Sequence, residues 1–392
     1  MVRNCLRSHR AKKMIIIVLT MALLIIGKIM WVVCATWEHG DLKKEQSEIL
    51  RRSNYLVSKV ATSPKQLLDA MPDAIGFQFQ GEWALYSCSM TTIALANIAK
   101  LYPVQRDSSL KHIEQIINVA MASEIRLYDT LRWGEDPLES LDGDNSHVSY
   151  LSHLALMIAA YRQIGGGEKY DITQRELCEA MNRRILQSVA LNLPTYPGES
   201  IYVPDMLVAI VALAMYSRQN NGEYGETVAM WLDRAKQEWI DEKTGLLASF
   251  LTEDGKMIGA VKGSYSALNC YYLTFLDHDF ARQQYEKLKE TFLQSSPLTG
   301  IREYHDRSCW LGMDIDAGPI VANLSPSGTA FAIGSATYFD DMKVRKGLLK
   351  TAEIAGSTLT WRDNTHYFLA DIALVGEAIT LAMRTSSANA YD

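Results

Sequence analysis

The sequence predicts an all-α fold: an (α/α)6 toroid of six helical hairpins, preceded by one N-terminal transmembrane helix. Three observations predict it. There is one long apolar run near the start, helical periodicity in paired segments over the remainder, and a division of each pair into an apolar and a charged member.

The apolar run, Met14 to Ala35, is 22 residues broken only by Lys28. As a helix it rises about 33 Å, close to the hydrocarbon core of a bilayer. Arg3, Arg7, Arg10, Lys12 and Lys13 precede it with no acidic residue, a flank that stays cytoplasmic under the positive-inside rule. The expectation is a cytoplasmic basic segment at 1–13, a signal anchor at 14–35 and an extracytoplasmic toroid domain at 41–392. Two other readings fit the same residues: a cleaved signal peptide ending at Val33-Cys34-Ala35, and lipidation at Cys34.

The whole chain holds 39 basic and 45 acidic residues. Residues 1–35 take six of the bases and none of the acids, which leaves the remainder near −12. Such a domain repels phosphate backbones, so no nucleic-acid partner is expected. By the same charge it is expected to stand off an anionic membrane surface, held nearby by the short connector Trp37 to Asp41. Cys88, Cys178, Cys270 and Cys309 are far apart and follow no metal-ligand spacing, so they read as small buried apolar residues. No metal or cofactor is called for.

Helical periodicity covers Trp83–Leu101, Ser108–Tyr128, His147–Gln163, Thr173–Leu191, Pro204–Arg218 and Gly225–Ile240. It continues through Tyr265–Leu276, Phe280–Leu293, Pro326–Phe339, Met342–Leu359 and Tyr367–Met383, with Asp41–Met71 left to partner the last. First members such as MLVAIVALAMY are apolar, and second members such as LDRAKQEW carry the charges, an inner and an outer ring. Starts recur about every 40 to 65 residues, helical-hairpin spacing that an open solenoid would share.

In a toroid the segments entering the inner helices all lie at one end, so their polar side chains converge. Those entries carry Glu82, Asp144, Glu199, Asp205, Asp314 and Asp316. Paired carboxylates, one protonated and one ionised, are the means of general acid/base work and of glycoside hydrolysis. Each acid taken alone reads equally as a helix cap. In the catalytic reading Glu199 and Asp205 are acid and base, Asp314 and Asp316 activate water or hold substrate, and Glu82 and Asp144 line the entrance.

His147, Tyr150 and His153 follow at i, i+3 and i+6, so the two histidines diverge by about 120° and one is expected to face the lumen as a proton carrier. His366 lies at the last entry. Trp83, Tyr86, Tyr196, Tyr202, Tyr265, Tyr304, Trp310 and Trp361 offer flat faces suited to a sugar ring or a prenyl chain, and equally to a toroid core. Of these, Tyr196 and Tyr265 join Tyr150, Glu82, Asp144 and His366 as expected substrate contacts. SPSGTAFAIG (325–334) lacks the spacing of a phosphate loop, and neither GxSxG nor HExxH occurs.

The segments SYLSHLALMIAAY, EKYD and YPGESIYVPDMLVAI resemble the linalool dehydratase/isomerase family, over about residues 76–380. The resemblance implies an α/α six-barrel and an activity on a small alkenol, with His153 at the position that best matches the family's catalytic histidine. The family's two active-site cysteines fall in a segment that here reads YPGESIYVPD, where Tyr196 and Asp205 stand and no cysteine does. Carboxylates in place of thiols make the mouth similar to the acid/base mouths of α/α-toroid glycosidases. Three functions follow: a glycosidase-like hydrolase on a glycan, a dehydratase or isomerase on an alkenol, and a tethered binding module whose acids only cap helices.

Overall fold

A computed structural model describes residues 2–72, 76–306, 309–314, 316–386 and 388 of the chain; the tail 389–392 of the expected domain lies outside them. Helix α1 (Val2–Ala35) is followed by α2 (Leu42–Val60) and α3 (Pro64–Asp69). Then come α4 (Phe77–Leu101), α5 (Arg106–Ala120), α6 (Ser123–Trp133), α7 (Val148–Gln163) and α8 (Asp171–Gln187). The helical order closes with α9 (Val203–Gln219), α10 (Gly225–Glu238), α11 (Gly263–Leu273), α12 (His278–Phe292), α13 (Pro326–Tyr338), α14 (Met342–Gly356) and α15 (Leu374–Arg384).

Helices α4, α7, α9, α11, α13 and α15 each pack on the next, and α15 packs back on α4, so the inner ring is closed rather than open. Helices α2, α5, α8, α10, α12 and α14 cover it from outside. Composition explains the two rings. Every residue of α11 is buried, as is α7 from Val148 to Tyr161, because an inner helix is enclosed on all sides and its small and apolar side chains leave no polar face. Outer helices bury one stripe, as α12 does with Phe280, Gln284, Leu288 and Phe292. Side-chain caps start several of them: Asp41, Asp277 and Asp341 accept from backbone N–H groups of α2, α12 and α14 at 3.0, 2.9 and 3.2 Å.

The ring is locked where α2 meets α14 and α15. Glu45 of α2 accepts from Arg345 Nη1 and Nη2 at 2.6 and 2.9 Å and from Arg384 Nη2 at 2.9 Å. Glu48 takes Arg384 and Arg52, each at 2.8 Å, and Arg52 reaches Glu377 at 2.6 Å. Glu45, Arg52, Arg345, Glu377 and Arg384 are all buried. Burial pushes Glu45 up, but Arg384 and Arg345 outweigh it and hold the carboxyl at about 2.

Several expected helices differ in extent: Trp83–Leu101 starts earlier, at Phe77, and Asp41–Met71 divides into α2 and α3. Ser108–Tyr128 breaks where Ala122 turns extended (φ −69°, ψ 143°), which redirects α6 toward the ring; Tyr128 then packs so close to α4 that a Cβ on Gly81 would lie 2.8 Å from it. Met342–Leu359 stops at Gly356, and Tyr367–Met383 passes through a 3-10 turn at Phe368–Asp371 before it becomes α-helical at Leu374. The residues between form an antiparallel β-hairpin in which NTHY alternates half-buried and buried residues, whereas TLTW is exposed beyond Thr358.

Short strands line the entries in general. β1 (Ile201–Tyr202), β2 (Phe250–Leu251) and β3 (Met257–Ile258) make one antiparallel sheet before α11, and β4 (Leu293–Gln294) pairs with β5 (Gly300–Ile301). β6 (Leu311–Asp314) pairs with β7 (Gly318–Val321) before α13, and β8 (Thr358–Trp361) with β9 (Asn364–Tyr367) before α15. All entries to inner helices lie at one end of the ring, the mouth.

Helix α1 contains Ile16–Ala35, 20 residues long and apolar enough to cross a membrane. Cys88, Cys178 and Cys270 are buried and unpaired.

Candidate active site

At the mouth two inner helices and one entry hairpin present three carboxylates. Glu82 sits in the second turn of α4, Asp205 in the first turn of α9, and Asp316 on the turn of the β6–β7 hairpin that leads into α13. Along α9 every residue from Val203 to Ser217 is buried except Asp205, which opens to the lumen.

Each acid has one hydroxyl donor. Tyr196 donates to Glu82 Oε2 at 2.9 Å, Thr195 to Asp205 Oδ2 at 2.7 Å, and Tyr265 to Asp316 Oδ2 at 2.7 Å. Burial lifts all three proton affinities, and the acids reinforce one another. Glu82 is raised to about 8 by burial and by the charges of Asp205 and Asp316, against the Tyr196 hydrogen bond and Arg132. Asp205 is raised to about 7 by burial, with Asp316 and Glu199 adding to it against the Thr195 bond. Asp316 is raised by burial and Asp314, although its hairpin turn remains open to water. Three such groups titrate as a coupled set, the condition under which one carboxyl can stay protonated beside an ionised one.

Aromatic rings wall the cluster. Tyr202 meets Tyr265 edge-on at 5.2 Å, and the Tyr86 and Tyr272 hydroxyls approach to 3.5 Å. Arg132 of α6 lies 4.5 Å from the Tyr196 ring centroid and donates to Glu199 Oε1 at 3.3 Å. Lys262 pairs with Asp314 at 2.7 Å.

The expected residues therefore divide. Asp205, Asp316, Glu82, Tyr196 and Tyr265 come together. Glu199 stands on the exposed rim with Arg132, and Glu82, expected only at the entrance, is buried where the charges of Asp205 and Asp316 act on it. Asp314 accepts from Lys262 and from the backbone N–H groups of Asp316 and Ala317 at 3.0 and 3.1 Å, so it shapes the hairpin turn that presents Asp316.

Of the others, only His153 lies near the cluster's walls. His147, in a left-handed conformation (φ 50°), is buried with Nδ1 on Asp129 Oδ2 at 2.5 Å and Nε2 3.3 Å from Glu135. Tyr150 points outward, its hydroxyl on the Ala120 carbonyl at 3.0 Å. Asp144 is exposed on the loop before α7, where its charge acts on Arg184. His366 stacks on Tyr55 at 4.0 Å, beside a separate cleft lined by Tyr55, Lys59, Asp69 and Leu374. His153 does face the ring interior, with Nδ1 2.9 Å from Ser89 Oγ and its ring edge-on to Tyr86 at 4.9 Å. Burial lowers it to about 3, which keeps it neutral and unsuited to carry a proton near pH 7.

Sequence reasoning missed Arg132, Thr195, Tyr272 and Lys262. Thr195 lies ten residues before Asp205, and Arg132 is on α6, whose separate existence the periodicity did not signal.

No protein-family model matches the chain. Its structure is similar to a glycoside hydrolase from family 105 of C. acetobutylicum ATCC 824, with a TM-score of 0.54 and 12% sequence identity over 76% of this chain and 92% of that one. It is similar also to an unsaturated glucuronyl hydrolase specific for heparin, with a TM-score of 0.55 and 11% identity over 88% of this chain and 96% of that one. The resemblance to linalool dehydratase/isomerase gains no support from these comparisons, and the likeness that they establish is one of fold, the α/α toroid.

Proposed function

We propose that the chain is a membrane-tethered, glycosidase-like hydrolase acting on a hydroxylated substrate, a glycan, outside the cytoplasm. The observation that carries this reading is the convergence of Glu82, Asp205 and Asp316 in one tyrosine-walled mouth, each held by a hydroxyl donor, with burial raising the proton affinity of all three. Helix caps would have no reason to converge, which weighs against a purely binding role. The fold shared with glycoside hydrolases supports the same chemistry without assigning it.

In this reading protonated Glu82 gives its proton to the oxygen leaving the anomeric carbon as the C–O bond breaks. Water adds to that carbon and loses a proton to Asp205 or Asp316. Tyr196 and Tyr265 hold the carboxyls in place, while Tyr86 and Tyr202 offer faces to the sugar ring.

The test is turnover by the full chain of a glycan panel that includes unsaturated glucuronyl oligosaccharides. Glu82→Gln and Asp205→Asn are each expected to lower kcat by about 10²- to 10⁴-fold, the usual contribution of a general acid or base. A substrate turned over equally well by both variants would overturn the assignment.

A further inference from the structure

The tether does more than hold the toroid near a membrane; it fixes which end meets the lipid. Helix α14 runs from Met342 at the far end of the ring to Gly356 at the mouth, since β8–β9 and the entry to α15 follow it. The last turns of α1 lie antiparallel along it. Lys28 Nζ donates to the Glu353 carbonyl and to Ser357 Oγ at 3.2 and 2.5 Å, and Trp31 Nε1 donates to Glu353 Oε1 at 2.7 Å. Twelve residues on, Gly40 lies beside Lys346 near the start of α14. The far end is fixed independently, because Tyr102, just past the end of α4, donates to the Leu42 carbonyl at 2.9 Å. Going back from Lys28, the rest of α1 therefore projects past the mouth.

Lengths make the approach close. Between Lys13 and Lys28 lie 14 residues without a charge. They rise about 21 Å, roughly 9 Å short of a 30 Å hydrocarbon core. The missing depth is supplied by residues after Lys28 that run beside the domain, where Ile29, Met30 and Val33 turn apolar side chains outward at 56%, 58% and 44% exposure. That draws the mouth rim into the interfacial layer.

The rim is built for it. Trp310 and Met313 of the β6–β7 segment are 70% and 78% exposed, Trp361 of β8 is 73%, and Phe368 and Ile372 just beyond β9 are 55% and 58%. Aromatic and large aliphatic side chains of this kind favour the bilayer interface.

We propose that the mouth of the toroid faces the bilayer that α1 enters, with the β6–β7 and β8–β9 hairpins seated in its interface. The substrate class follows: an amphiphile held by the same membrane, whose hydroxylated head reaches Glu82 and Asp205 while its apolar part stays in lipid. That consequence rests on the acid/base reading of the site, whereas the orientation does not. It reverses the expectation that the domain's negative charge keeps it away from the membrane.

The test uses the full chain in phosphatidylcholine vesicles with brominated acyl chains, reading quenching of tryptophan fluorescence in the wild type, Trp310→Phe, Trp361→Phe and the double variant. Because both rings are exposed, the Phe variants should melt like the wild type. The proposal expects each single variant to lose part of the quenched emission and the double variant to lose most of that not due to Trp31 and Trp37. Unchanged quenching in the double variant overturns it. A doubled particle mass in nanodiscs with no rim quenching also overturns it, assigning the rim to a second copy. Since the readout is lipid contact, absence of glycan turnover would sink the proposed chemistry and leave the orientation standing.

Discussion

The Tyr196 hydroxyl donates to Glu82 Oε2 at 2.9 Å across 114 residues of sequence, tying the loop before β1 to the second turn of α4. The bond favours the ionised carboxylate and so restrains the rise of Glu82, which burial drives to about 8. Tyr196→Phe removes the restraint. A hydrogen bond to a charged group contributes about 1.5 to 3 kcal/mol, equivalent to about one to two pH units. The alkaline limb of kcat/KM is expected to move up by that order, and a limb that stays or falls would count against Glu82 as the titrating acid.

The wild-type pH profile follows from the same cluster. With a base ionising near 7 and an acid losing its proton near 8, kcat/KM should form a narrow bell centred between them. The limbs belong to the coupled set rather than to one residue. Asp205→Asn should remove the acidic limb together with most of the activity.

Stability should respond with the opposite sign on the two sides of the molecule. Glu82 and Asp205 have raised affinities in the fold, so their contribution is full below the ordinary carboxyl range and is lost as pH rises through about 7 and about 8. Thermal melts of Glu82→Gln should therefore decline less between pH 6 and 9 than those of the wild type, a range taken about the two values just given.

Glu45 behaves in reverse. Held at about 2, it contributes above the ordinary carboxyl value, and that contribution is lost as pH falls from 4.5 toward 2. Glu45→Ala leaves Arg345 and Arg384 buried with their shared partner gone, at a cost of about 3 to 5 kcal/mol in denaturant titration. A loss below about 1 kcal/mol would mean that the seam does not close the ring, since that is the scale of an exposed pair.

The hairpin architecture was legible in the sequence because enclosure leaves a compositional trace: helices such as α11 and α9 are apolar or small all round, and α12 is not. The seam was not. LKKEQSEILRRS on α2 reads as a solvated face, and Glu45 is buried only because Arg345, 300 residues away, comes to meet it. The mouth was half legible. Entry segments pointed to Glu82, Asp205 and Asp316, but which acids converge depends on hairpin turns such as the one Asp314 shapes through the Asp316 and Ala317 N–H groups. Which of His147, Tyr150 and His153 faces the lumen was not legible for a simpler reason. Their helix is buried on every side, so periodicity has no polar stripe to show which residues face the lumen.

The most direct test of the acid/base mouth is single-turnover hydrolysis, by the full chain in lipid vesicles, of glycosides carrying poor and activated leaving groups. Glu82→Gln is expected to lose about 10²- to 10⁴-fold on the poor leaving group and to recover most of that on the activated one, which needs no proton. Asp205→Asn should lose activity on both. Equal loss on both substrates for Glu82→Gln, or full activity in either variant, would contradict it.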